Sequence, residues 1–184
     1  MSYTRRMRRS LSAVLLFWLA VLPAQAVTVA PLSFEELVRL SSSVVYARVI
    51  DVRGQWTDDR QSIDSLVTVT VIKGLKGAPA AELTLTVPGG QVGRYLNLMP
   101  GAPSFGRGDL VVLFLTARGP RLPVTTGFTQ GIYRVVRDGG SGDVLVVPPA
   151  VGEGQRIIRG DGRRKPVSLV AFEGAVRAVQ VVAQ

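Results

Sequence analysis

A mainly β fold, a small antiparallel barrel or curled sheet flanked by two helices, is predicted by three features of the chain. Apolar and polar residues alternate through VVYARVIDV, SLVTVTVIKG and ELTLTVP, the period of two that puts one set of side chains on each face of a strand. Glycine and proline clusters punctuate these runs at short intervals, as turns require. Helical periodicity is confined to one stretch near each end.

The first helix spans about Phe34 to Leu40. Ser33 and Glu36 form a capping-box pair, Leu32 and Leu37 a hydrophobic staple, and Phe34, Leu37 and Val38 share the face that would cover the sheet. The first two strands follow, joined by a polar, glycine-bearing connection from Arg53 to Ser62 that is too short for a crossover helix and so implies an antiparallel hairpin with a long loop. Val67, Val69 and Val71 should face the core, with Thr68 and Thr70 outward. Leu83, Leu85 and Val87 of ELTLTVP should lie beside them, until Pro88-Gly89-Gly90 ends that strand.

GGQVGRYLNLMPGAPSFGRG reads as loop with one short strand at Tyr95 to Leu98, and it is the longest irregular stretch, the kind that carries binding on a rigid scaffold. DLVVLFLT, from Asp109 to Thr116, has no polar alternation, so it should be the central strand, with sheet on one face and helix on the other. PRLPVTTGFTQ reads as a proline- and glycine-broken connection. GIYRVVR and VLVV form a hairpin across Asp138 to Asp143. Beyond the basic, glycine-rich GEGQRIIRGDGRRKP, Ser168 is a candidate N-cap. Leu169, Phe172, Val176 and Val179 then form one stripe of a helix that should pack on the sheet.

Ahead of all this stand Arg5, Arg6, Arg8 and Arg9, an apolar run from Leu11 to Leu22, and Ala24-Gln25-Ala26, the order of a secretory signal peptide. The expected organisation is a signal peptide over 1–26, a β domain over 27–150, and a basic linker with its packed helix over 151–184. The expected location is periplasmic or extracellular, with no membrane span after cleavage. The chain carries 22 basic and 13 acidic residues, a formal charge of +9; without the four leader arginines 18 basic residues remain against 13, or +5. That balance suits an anionic envelope polymer or surface.

The chain has neither histidine nor cysteine. This excludes a Ser-His-Asp triad, a cysteine nucleophile and the usual nitrogen-sulfur zinc site, and no disulfide is possible. Lys73, Lys76 and Lys165 show no Ser-x-x-Lys spacing. GGQVG lacks the lysine-serine pair and helix start of a phosphate-binding loop. Asp58, Asp59 and Asp64, with Asp138 and Asp143, are the carboxylates a hydrolase would need, though turn roles account for them. No catalytic residue, cofactor or metal ligand is assigned. The candidate contact residues are Trp56, placed in the long hairpin loop, and the basic run Arg156, Arg159, Arg163, Arg164 and Lys165. Nucleic acid is disfavoured as a partner because no aromatic platform is interleaved with that charge.

SSSVVYARVIDV, VTVIKGLKG, LTLTVPGG and PSFGRGDLVVLFL, within Leu37 to Leu115, resemble the netrin-like module shared with the tissue inhibitors of metalloproteinases, in the form found in exported bacterial proteins. The resemblance implies a five-stranded OB-type barrel with packed helices. The inhibitors' amino-terminal cysteine and disulfides have no counterpart here, so it implies a scaffold without their inhibitory apparatus. The expected function is an exported, non-catalytic binding or interaction module for a protein or an anionic envelope polymer. The alternative is a carboxylate-dependent hydrolase acting on such a polymer.

Overall fold

In the computed structural model, residues 31–140, 142–149 and 165–182 are described. The leader expected over 1–26 and Arg156, Arg159, Arg163 and Arg164 lie outside them. Helix α1 (Phe34–Leu40) starts at the capping box: the Glu36 amide donates to Ser33 Oγ at 3.2 Å and the Ser33 amide to Glu36 Oε2 at 2.7 Å. Its far end is closed by Lys76, whose Nζ donates to the carbonyls of Val38 at 2.6 Å and Ser41 at 2.7 Å. A cation at a helix C-terminus is favourable, while burial lowers the pKa of this ammonium.

The long strands are β1 (Ser43–Trp56) and β2 (Ile63–Lys76), followed by β3 (Glu82–Pro88). A small hairpin of β4 (Gly90–Val92) and β5 (Tyr95–Asn97) comes next, then β6 (Leu110–Arg118), β7 (Arg121–Thr125), β8 (Ile132–Arg137) and β9 (Val144–Val147). A two-residue strand, β10 (Val167–Ser168), leads into helix α2 (Leu169–Val182). Eight strands form one sheet in the order β10-β9-β8-β6-β1-β2-β3, with β7 also paired to β6, and every pairing is antiparallel. The sheet curls until β3 meets β7, but no ladder joins the two, so it stays open. Of the two expected forms, it is the curled sheet and not the closed barrel. Bulges in the β1–β2 pairing, where Leu75, Ile72 and Ile50 have no opposite residue, add the local twist that bends it.

β6 is the central strand and divides the core. Val112 and Phe114 face the helices, in a cluster with Phe34, Leu37, Val38, Tyr133, Phe172 and Val176. Val111, Leu113 and Leu115 face the inside of the curl, with Val67, Val69 and Leu85; Val71 and Leu83 are at its edge and only partly buried. Between the layers runs a short buried chain of hydroxyls. Ser41 Oγ donates to the Leu37 carbonyl at 2.7 Å and lies 2.8 Å from Thr126 Oγ1, which is itself 2.8 Å from Thr116 Oγ1. These buried polar groups therefore have partners, as a dry core demands.

Four expectations are corrected. The β1–β2 pairing runs out to Trp56 opposite Ile63, so the connection is six residues, not a long loop, and Trp56 is the last residue of a strand. Arg53, Gly54 and Gln55 pair with β2 without any apolar alternation, so periodicity does not mark them as strand. Arg121–Thr125 is a strand despite Pro123; Val124 and Thr125 pair with β6 while Pro123 has no partner in the register, an arrangement proline tolerates. GGQVG contains β4. The tail contributes β10 to the sheet as well as the helix.

Candidate functional site

The sequence-predicted contact residues separate. Lys165 is exposed, and the rest of its basic run lies outside the described residues. Trp56 is half-buried at the end of β1, its ring edge-on to Tyr95 with centroids 5.5 Å apart. That contact leads to a surface not singled out as a site in the sequence: the β4–β5 hairpin and the residues just after it.

The hairpin turns through Gly93 and Arg94, with Gly93 in the left-handed conformation at φ 58° that a two-residue turn requires. It lies directly against β1, because a Cβ added to Gly54 would stand 2.0 Å from the Gln91 carbonyl oxygen. Only glycine permits that approach. The base is pinned to β2: the Gly89 amide donates to the Ile63 carbonyl at 3.0 Å, Asn97 Nδ2 donates to the same oxygen at 3.3 Å, and Ser65 Oγ donates to the Gly89 carbonyl at 2.7 Å. Because successive side chains of a strand point oppositely, Asn97 turning inward leaves Leu96 and Leu98 outward.

The result is an uncovered apolar run. Tyr95 is 51 % exposed, Leu96 60 %, Leu98 78 % and Met99 44 %. The Arg94 guanidinium lies over the Tyr95 ring, 5.2 Å from its centre, and donates to the Tyr95 hydroxyl at 3.1 Å. The loop that follows is tethered and cannot fold over this run without breaking ion pairs. Arg134 binds the Asp109 carboxylate and the Ser104 carbonyl and lies over the Phe105 ring, while Arg107 meets Asp51 at 3.0 Å. The legible signal was YLNLM, four apolar residues in five, in a stretch from Leu83 to Gly108 with no acidic residue.

The carboxylates have structural work. Asp59 accepts from the Thr57 hydroxyl at 2.6 Å and the Gln61 amide at 3.1 Å, and these bonds hold its pKa below the usual carboxylate value. The backbone of Asp138 and Asp143 closes the β8–β9 hairpin. That hairpin is separated from β1–β2 by β6, and among the described residues no group of three or more acidic side chains is placed to hold a metal ion.

Asp64, beside the hairpin base, is different: burial raises its pKa, partly offset by the positive charge of Arg118. A raised folded-state pKa means that this group's contribution is favourable below about pH 3.8, the unfolded value, and is lost as pH rises through the folded pKa. Asp64→Asn should therefore melt at a higher temperature than the parent at neutral pH. The gap should close as pH falls to 3, as followed by circular dichroism melts; a constant gap would contradict this assignment.

Comparison with protein-family models, with curated proteins and with solved structures gives no match in any of the three.

Proposed function

We propose that this chain is a non-catalytic interaction module of the cell exterior or periplasm, and that it meets its partner through the β4–β5 hairpin. The observation that carries this reading is the exposed run Tyr95, Leu96, Leu98 and Met99 on a hairpin fixed rigidly against Gly54, Ile63 and Ser65. Leaving such a patch uncovered in water is unfavourable, and patches of this kind on folded domains mark contact surfaces. Rigid attachment lowers the entropy lost on binding. The netrin-like resemblance is compatible with this role as a scaffold and contributes nothing to the identity of the partner. Export rests on the order of residues in the leader, Arg5 to Ala26.

The carboxylate-hydrolase alternative finds no support in the residues that suggested it: Asp59 is engaged by Thr57 and Gln61, and Asp138 and Asp143 belong to a hairpin that β6 separates from β1–β2. The purified protein should show no turnover of glycan, ester or peptide substrates above a buffer blank. Turnover abolished by Asp58→Asn, Asp59→Asn, Asp138→Asn or Asp143→Asn would overturn the reading in favour of an enzyme.

A further inference from the structure

We infer that the β4–β5 hairpin seats on the surface of an anionic lipid bilayer, an inference that rests on the interaction-module reading and gives its partner a chemical class. The hairpin surface combines apolar, amphipathic and charged side chains. Leu96 and Leu98 are the outward pair, 60 % and 78 % exposed, with Met99 beside them. Behind them are the amphipathic rings of Tyr95 and Trp56, in edge contact. The charged group next to them is Arg94, held against Tyr95. Each of these side chain types suits a level of a bilayer: acyl boundary for leucine and methionine, headgroup level for tyrosine and tryptophan, phosphate level for arginine.

Charge favours an anionic surface. From Leu83 to Gly108 the ionised side chains are Arg94 and Arg107, of which Arg107 is paired with Asp51, and Arg53 and Arg60 on the neighbouring β1–β2 hairpin are exposed. Asp58 and Asp59 share that turn as carboxylates and offset Arg53 and Arg60, so the net positive charge beside the apolar run is that of Arg94. Area argues against a protein partner or a second copy. The four exposed side chains offer on the order of 500 Å², short of the roughly 800 Å² per partner of a stable protein interface. A bilayer sets no such minimum, because each inserted side chain contributes on its own.

Trp56 adjoins the hairpin and is the one tryptophan of the chain from Val27 that removal of the leader leaves, so in that chain its fluorescence reports on the hairpin alone. Its fluorescence should be quenched by phosphatidylglycerol vesicles with brominated acyl chains, and far less by the phosphatidylcholine equivalent. Leu96→Ser with Leu98→Ser should weaken the vesicle affinity read from Trp56 about tenfold or more. Arg94→Gln should weaken it about fivefold at low salt and less at high salt. Because Leu98 is the most exposed of the group, Leu98→Ser alone, with an unchanged melting temperature, guards against a folding artefact.

Absence of quenching, or quenching indifferent to Leu96 and Leu98, overturns the bilayer assignment. A dimer in sedimentation equilibrium that the serine variants dissociate, without quenching by vesicles, also overturns it but leaves the interaction-module reading standing. That reading fails separately, on substrate turnover.

Discussion

Phe114→Ala should destabilise the protein by about 3 to 5 kcal/mol in urea denaturation. The ring is fully buried at the centre of β6 and is the hub of the helix-side cluster. It meets Phe34 at 6.1 Å and Phe172 at 6.2 Å in edge contacts and Tyr133 at 5.5 Å in a tilted one. Those rings come from both helices and from β8, so no single neighbour can move to fill the space. Leu113→Ala, one residue earlier and on the opposite face, should cost about 2 to 5 kcal/mol by opening a cavity inside the curl instead. The control is Thr68→Ala, which loses only a hydroxyl contact of 3.0 Å to Thr84 on the outer face and should cost about 1 kcal/mol or less. If Thr68 proved as costly as Phe114 or Leu113, the division of the core into two layers by β6 would be wrong.

Deleting residues 166–184 should be at least as damaging. Helix α2 places Phe172 and Val176, both buried, onto the helix side of the sheet, where Phe172 meets Phe34 at 5.4 Å and Tyr133 at 5.2 Å. Gln180 Nε2 donates to the Leu75 carbonyl at 3.1 Å and Lys73 pairs with Glu173 at 2.7 Å, fixing the helix over β2. The exposed ion pair contributes little. Losing the two apolar side chains and baring those beneath should cost about 5 kcal/mol, which lowers the melting temperature by roughly 10 to 20 °C in a domain of this size. Replacing Arg163, Arg164 and Lys165 with glutamine should leave melting unchanged and weaken only salt-sensitive binding. A truncated chain that melts like the parent would show that α2 is dispensable to the fold and free for a partner.

Legibility in the sequence followed the strength of local constraint. VTVTV could form only a half-buried strand, and Val67 and Val69 are fully buried as their spacing requires. Ser33 and Glu36 located a helix start to the residue, and the stripe Leu169, Phe172, Val176 and Val179 located the packed face of α2. LVVLFL, apolar throughout from Leu110 to Leu115, announced a strand covered on both sides. Where tertiary contact decides the conformation, the sequence was mute. Gly90–Val92 is a strand because it pairs with Tyr95–Asn97 in a hairpin that Gly54 lets approach β1, and Val167–Ser168 because β9 is beside it. Arg121–Thr125 extends because β6 offers an edge, although Pro123 and the glycines around it signal a loop.

The candidate site was legible only by halves. Trp56 stood out as a residue that could make a contact, and the segment from Gly89 onward as a stretch where binding residues belong. That Tyr95 would touch Trp56, and that Leu96 and Leu98 would point into water and not into the core, depends on Asn97 bonding inward to Ile63, a contact 34 residues distant in the chain. Period-two reasoning fixes that Leu96 and Leu98 share a face. It cannot choose which face is wet.

The claim that this outward face is the contact surface is tested most directly by site-specific photo-crosslinking in the cell envelope. A photoreactive amino acid would be placed at Leu98, and in parallel at Ile72, an exposed apolar residue on β2 that is 50 % exposed and lies outside the hairpin. Crosslinking to a discrete lipid or protein at position 98, with little at position 72 and none at 98 after Leu96→Ser, is the expected result. Equal yields at the two positions, or no adduct at 98 in intact envelopes, would contradict the account.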